Sequence, residues 1–521
     1  MFFQKQALIA GVAAAAFTLS ACGGGSSSDP ASDGAAPSGQ PVSGGTARVI
    51  ETAEPRSLDP AVVANSWANS PVVGNSLYGT LMIDDPATGK MEYKIAKSFA
   101  SDDGGSTFTL TLRDGVTFSD GTPFTAEAVK VGWDHVKDPA TSSPDIPQAA
   151  LIAQTTVVDD KTLKVKLTEP IPNFANAIVQ TSLNWIASPA SIKGGAKVMD
   201  VKPIGAGPYT LESWSRQDVI KLVRNDKFWD APRPYLDRIE VRAVIDPDQR
   251  YNTLVSNGAD LSLESNWNNL DKAQKAGLQN STLQLGGGVA LVLNTKSAPF
   301  DDPRARKALA SALDLNTIND AVYNGTGKVP TTLFDQSSPF YQDIPLVTTD
   351  AAAAQKLFDE LAGEGKPVSF KLSLFAGNAP LGNSIQTQLS TFKNVKVEVG
   401  TIDIAQYGTI MAKRDYNVIQ SSVTFADPEP RLWGGLAGES RGNYSGINDP
   451  ELNTALDAGR TGKTEAERVT AYETVQKRLA ELNPIIFYTR SAPGVMANKN
   501  VGGLQQYGMG SLLPETLWLQ K

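Results

Sequence analysis

Cysteine and histidine are almost missing from this chain of 521 residues, which has one of each. One cysteine excludes an internal disulfide framework, and one histidine excludes a histidine-rich metal centre. A basic excess is also missing. Lys and Arg number 47 against 55 Asp and Glu, a net charge of −8. No basic stripe is present to neutralise phosphates, so nucleic acid is excluded as a partner. With 41% hydrophobic and 20% charged residues, the composition is that of a soluble globular protein long enough for two or three domains.

What is present begins at the N-terminus. Lys5 precedes the apolar run Ala7–Ala21, which is too short to span a bilayer and suits the core of a signal peptide. The run ends Leu19-Ser20-Ala21-Cys22, matching the bacterial lipobox, with small residues before the cut and a thiol after it. Residues 1–21 are therefore expected to be a lipoprotein signal peptide and Cys22 the lipid attachment site. Residues 22–45 are Gly-, Ser- and Pro-rich, with almost nothing apolar to bury, and read as a flexible tether. Several acyl chains, at roughly 0.8 kcal/mol per buried CH₂, would hold the body durably on a membrane.

Along the body, Arg48–Thr52 reads as a first strand, followed by the turn Ser57-Leu58-Asp59-Pro60. Phe108–Arg113 alternates as a strand, and Asp114-Gly115 predicts a hairpin returning at Val116–Phe118. Thr125 caps a helix with Val129, Trp133 and Val136 on one face. A second hairpin is expected between Thr155–Val158 and Thr162–Leu167. Gly205-x-Gly207 runs into Pro208 and Tyr209 and on into a strand, so the dinucleotide fingerprint fails and no cofactor is expected. Leu291-Val292-Leu293 reads as a buried strand, and Asp302-Pro303 starts a helix. Strands and helices then alternate to Thr464-Glu465-Ala466-Glu467, a capping box opening a helix to Leu482, which gives a parallel or mixed sheet.

Four stretches, in order, carry a resemblance: TFTLTLRDGVTFSDGTPFTAEAVKVGW, PIGAGPYTL, VIKLVRNDKFW and ALVLNTKSAPFDDPRARKALASA. Together they resemble the peptide/nickel-type (family 5) extracytoplasmic solute-binding proteins that serve ABC importers, here in lipoprotein form. The resemblance implies an α/β, two-lobed periplasmic-binding-protein-like fold of class II type, with an extra subdomain at about 75–183 in the first lobe. Lobe I would cover 46–295, lobe II 296–487, and 488–521 would return to lobe I. It implies a monomer that captures a small solute, foremost short peptides, and delivers it to an ABC permease with ATPase subunits. Nickel chelates, opines and oligosaccharides are the alternative solutes.

By the same resemblance, the pocket loop 62–70 holds Asn65 and Trp67, and the cleft floor follows the strand Asn417–Ser421 with Phe425 and Asp427. Asp427 is the candidate partner of a peptide ammonium, since an unpaired buried charge costs several kcal/mol. Arg431 is a candidate two-pronged donor for a ligand carboxylate, with a solvated loop arginine as the alternative, and Asn443 lies in a matching segment. Trp67, Trp267, Trp433 and Tyr488 are candidate pocket walls, because aromatics give large contact area at low entropy cost. One enzyme motif competes, Gly438-Glu439-Ser440-Arg441-Gly442. Its triad histidine should follow the serine, yet the sole histidine, His135, lies upstream, so no catalysis is expected.

Overall fold

The computed structural model describes residues 39–67 and 69–520; the signal peptide, Cys22 and most of the tether expectation lie outside them. Three sheets organise the body. A seven-stranded sheet runs Gln279–Thr282, Gly494–Ala497, Leu261–Glu264, Thr46–Glu51, Arg238–Ala243, Val219–Arg224, Tyr209–Ser215. Thr46–Glu51 pairs in parallel with both its neighbours, and the remaining pairs are antiparallel. A five-stranded mixed sheet runs Val395–Ile402, Val368–Phe375, Val418–Phe425, Gly286–Leu293, Ile485–Thr489. A third, antiparallel four-stranded sheet, Ala96–Ala100, Thr107–Leu112, Thr162–Leu167, Ile152–Asp159, belongs to the inserted subdomain.

Within the inserted subdomain, Phe99 and Phe108 stack at 4.5 Å with Phe174 tilted beside them. The helix Ala126–Lys137 covers the sheet with Val129, Trp133 and Val136 buried, capped by Thr125. Trp133 also donates to Leu183 O at 2.8 Å, which satisfies the indole inside the core. The hairpin through Asp159-Asp160 forms as expected. The first expected hairpin does not. Thr107–Leu112 pairs with Ala96–Ala100 and Thr162–Leu167, while Thr117 makes only an isolated bridge to Pro123. Both edges of that strand are already taken, so Val116–Phe118 folds back on its own turn, with Phe118 N donating to Thr122 O.

The crossing between lobes also falls elsewhere than residue 295. Gly286–Leu293 pairs residue for residue with Val418–Phe425 and, on its other edge, with Ile485–Thr489. It is a central strand of the second lobe. Leu291 and Leu293 enter the core on one face of the sheet, and Ala290 and Val292 the core on the other. The chain crosses at 283–285 and returns at 490–493, because Gly494–Ala497 already belongs to the seven-stranded sheet. The crossing strand opens with Gly286-Gly287-Gly288, packed so tightly that a Cβ at Gly287 would lie 1.9 Å from Val423 O and one at Gly288 2.2 Å from Thr489 O. Only glycine fits this approach.

Arg490 sits at the return crossing. Its guanidinium donates to Gly287 O and Leu333 O through Nη1, and to Thr332 O and Phe334 O through Nη2. Trp267 Nε1 donates to Arg490 O at 2.9 Å, so one residue links the two crossing segments to the helix Trp267–Lys275. Local signals hold elsewhere: Asp302 caps Pro303–Ala312, and Thr464 with Glu467 completes the capping box of Glu465–Leu482. The two described ends meet. Gly44 N donates to Tyr235 O, a Cβ at Gly45 would lie 3.9 Å from Leu519, and Gln520 N donates to Asn500 O.

Candidate functional site

Between the lobes lies a cleft of about 350 Å³. Its floor is the strand Val418–Phe425, which is paired along its length with Gly286–Leu293 but with Val368–Phe375 only at Val418 and Ile419. From Gln420 to Thr424 one backbone edge is therefore left free, and Ser421–Thr424 line the cleft. Ser66, Trp67 and Met509 face this edge from the first lobe, Pro147 and Gln148 from the inserted subdomain. Gly434, Gly435, Ser440 and Tyr444 close the second-lobe side.

The sequence-predicted residues separate into those that reach the cleft and those that build it. Trp67 and Arg431 line it. Asn65 does not; it is 2% exposed, donates to Val179 O and accepts from Ser511 Oγ, which fixes the loop carrying Trp67. That loop is braced at its start by Asp59, whose two oxygens lie 2.9 and 2.8 Å from Nε2 of His135. Phe425 has no exposed surface and packs edge-on against Phe334 at 5.5 Å. It marks the end of the floor strand, where alternation turns the side chain into the core. Asn443 is 1% exposed and donates to Leu436 O, Ala437 O and Ile447 O, organising the loop behind the wall. Tyr488 is equally buried, its hydroxyl accepting from Gln420.

Trp433 faces away from the cleft: its indole donates to Asp457 and Arg460 lies over its ring at 4.1 Å. Trp267 packs under the crossing and borders a separate hollow beside Lys328. Ser440 reaches the wall, but its hydroxyl donates to Gly434 O at 2.6 Å and accepts from Gly442 N, the bonds of a tight turn.

Asp427 differs most from expectation. Arg468 grips both its oxygens, at 3.0 and 2.6 Å, and Glu429 N donates to it as well. The carboxylate compensates a guanidinium that is otherwise buried among Phe340 and Tyr472. Asp427→Ala is expected to destabilise the protein by about 2 kcal/mol, because it strands the Arg468 charge. Urea melts of the variant and of Asp427→Ala/Arg468→Met check this, and the double variant should recover most of the loss.

Arg431 is held differently. It makes one hydrogen bond, Nη2 to Gln180 O at 3.4 Å, and its Nε is buried without a partner. Burial lowers its affinity for the proton, and the nearby Asp145 partly restores it. Beside it Glu429 is 2% exposed, and burial pushes its carboxyl up to about 7 against the opposing pull of Arg460. Arg460 also pairs with Glu169 of the inserted subdomain at 2.8 Å, and Gln180 donates to Glu429 O at 3.4 Å. These contacts join the subdomain to the second lobe at the cleft rim. Among the described residues, no group of three or more His, Cys, Asp or Glu could hold a metal, and no helix is long and apolar enough to cross a membrane.

Pro147, Gln148 and Met509 were not foreseen. Each comes from a segment whose local pattern says only turn or tail. The run Ser421-Ser422 was the available signal, since small residues at a strand edge leave room for another chain.

Known proteins are similar to this chain. "Glutathione-binding protein GsiB" of Shigella boydii is 28% identical over 327 residues, covering 62% of this chain and 62% of that protein. The same protein of Escherichia coli matches equally, so the alignment spans less than two thirds of these curated relatives. Among solved structures, the binding protein AgaA of A. tumefaciens with agropinic acid has a TM-score of 0.78 at 24% identity, covering 92% of this chain and 99% of that one. DppA of Helicobacter pylori in complex with peptide STSA gives 0.78 at 21%, with 92% and 99% covered. NikA of Brucella suis with Fe(III)-EDTA gives 0.77 at 21%, with 91% and 100% covered. These likenesses establish the two-lobed fold. The model of the bacterial extracellular solute-binding proteins, family 5 (middle), matches residues 90–442, and to that family the chain belongs.

Proposed function

We propose that this protein is the receptor of an ABC importer, capturing short peptides in the cleft and delivering them to a permease whose ATPase subunits supply the energy. The free edge at Gln420–Thr424 carries this reading, because an extended peptide adds to such an edge as one more strand. Trp67 supplies a side-chain wall and Arg431 a two-pronged donor for the peptide carboxylate. Closure of the lobes about the crossings at 283–285 and 490–493 sequesters the solute. A lipid on Cys22 would hold the body, as a monomer, on the outer side of a bacterial membrane. The relatives support the class: one is named for glutathione, another was solved with a peptide.

A thermal-shift panel of di- to hexapeptides, opines, nickel complexes and sugars tests the reading. A peptide present at a hundredfold its dissociation constant adds about 2.7 kcal/mol of stability. Trp67→Ala and Arg431→Gln are each expected to weaken that peptide about tenfold, with the ligand-induced shift read against each variant's own unliganded melting temperature. A shift from one of the other solutes, with none from any peptide, overturns the peptide assignment.

A further inference from the structure

The cleft has a charge of one sign only. Among the described residues lining it, Arg431 is the single charged side chain, and no carboxylate is present. The carboxylates around the cleft are committed elsewhere. Asp427 is gripped by Arg468; Asp145, 7% exposed, accepts from Ser182 N at 2.8 Å and Ser182 Oγ at 2.7 Å. Asp84 accepts from Gly508 N, and Glu429 faces Arg460 at 3.4 Å within the interior. None of these four residues lines the cleft, and Glu429 Oε2, which has no partner, is itself closed off from solvent. The guanidinium of Arg431, by contrast, lines the cleft and makes a single long hydrogen bond, to Gln180 O at 3.4 Å.

A zwitterionic peptide closed into this space would find a partner for its carboxylate and none for its ammonium. The ammonium would lose its water beside an existing cation, which costs several kcal/mol when no anion compensates. An amide N–H makes no such demand. Ser422 and Gln148 place polar side chains on the wall, and the free strand edge offers backbone groups to a neutral amide. Resting on the peptide reading above, we infer that the cleft selects peptide-like solutes with a free carboxylate and no free α-ammonium, the class of N-acylated short peptides.

Isothermal titration of the full chain with alanine-containing di- to tetrapeptides tests this, each peptide offered free, N-acetylated or C-amidated. Acetylation is expected to tighten binding about tenfold or more, and amidation to weaken it by a similar factor. Arg431→Gln should erase the effect of amidation and leave the effect of acetylation smaller. The comparison of termini on the unaltered protein decides the matter even if that variant folds poorly. Tighter binding of free-terminus peptides than of acetylated ones overturns the inference, while the peptide receptor reading stands. Failure of every peptide form, with binding of an opine, a nickel complex or a sugar, removes the peptide reading and this inference together.

Discussion

Arg490→Met is expected to cost about 4 kcal/mol of folding stability, the largest single-residue effect outside the hydrophobic cores. The guanidinium fork satisfies four main-chain oxygens from two segments, Gly287 O at 2.9 Å and Leu333 O, Thr332 O and Phe334 O at 2.8, 2.8 and 3.1 Å. Hydrogen bonds to a charged donor contribute roughly 1.5–3 kcal/mol each, and a buried carbonyl left without a donor pays its desolvation in full. Methionine keeps the apolar stem and supplies no donor. Lysine keeps the charge but presents a point rather than a planar fork, so Arg490→Lys should recover about half of the loss. Burial already lowers the Arg490 pKa to about 10, which reflects a cation solvated by carbonyl dipoles with no carboxylate in contact. Urea melts of the three proteins decide the matter, and a loss under ~1 kcal/mol for Arg490→Met would refute the role assigned to the fork. Because the same residue joins both crossings, the methionine variant should also change how readily the lobes close, seen as a weaker affinity for any captured solute.

Stability is expected to fall as the pH rises from about 5 to about 8, by on the order of 3 kcal/mol, and Glu51→Gln should remove most of that slope. Glu51 ends the first strand, is 1% exposed, accepts from Val72 N at 2.8 Å through Oε1 and leaves Oε2 without a partner. Burial pushes its carboxyl from 4.5 up to about 8, against the backbone bond from Val72. A carboxyl with a raised folded pKa binds its proton more tightly folded than unfolded. Its contribution is therefore complete below about 4.5 and is lost as the pH climbs through 8. Glu429, raised to about 7 by burial, acts in the same direction over a narrower window. Glutamine is a neutral isostere, so Glu51→Gln should gain on the unaltered protein at pH 8 and match it at pH 5. Equal slopes in both proteins would show that Glu51 is ionised throughout.

Elements set by neighbours a few residues away were legible from the sequence. The Thr464–Glu467 box, the Asp302-Pro303 start and the buried face of Val129, Trp133 and Val136 each follow from local spacing, and each is present. The lobe assignment of Gly286–Leu293 was not legible. Its two faces are both buried, so its apolar run reads the same in either sheet. The fate of Asp427 turned on Arg468, forty-one positions along the chain, and that of Arg490 on carbonyls more than 150 positions before it. Phe425, Asn443 and Tyr488 share the cleft's segments without its surface, because alternation and loop closure decide which way each side chain points. Trp67 and Arg431 lie on the cleft wall, and Pro147, Gln148 and Met509 arrive there only through tertiary packing.

The meeting of the two described ends bears on how the molecule can be attached to anything else. Gly39 lies against Trp518, and Gly45 against Leu519, so a linkage made at either end leaves the body from the same edge. Joining Gln520 to Gly39 through a short bridge needs no rearrangement of the sheet. New ends opened at the exposed turn Gly365-Lys366, past the helix Ala351–Gly363, would then suspend the body from its second lobe. Such a circular permutant keeps every contact of the cleft and presents its mouth to a supporting surface in a different orientation.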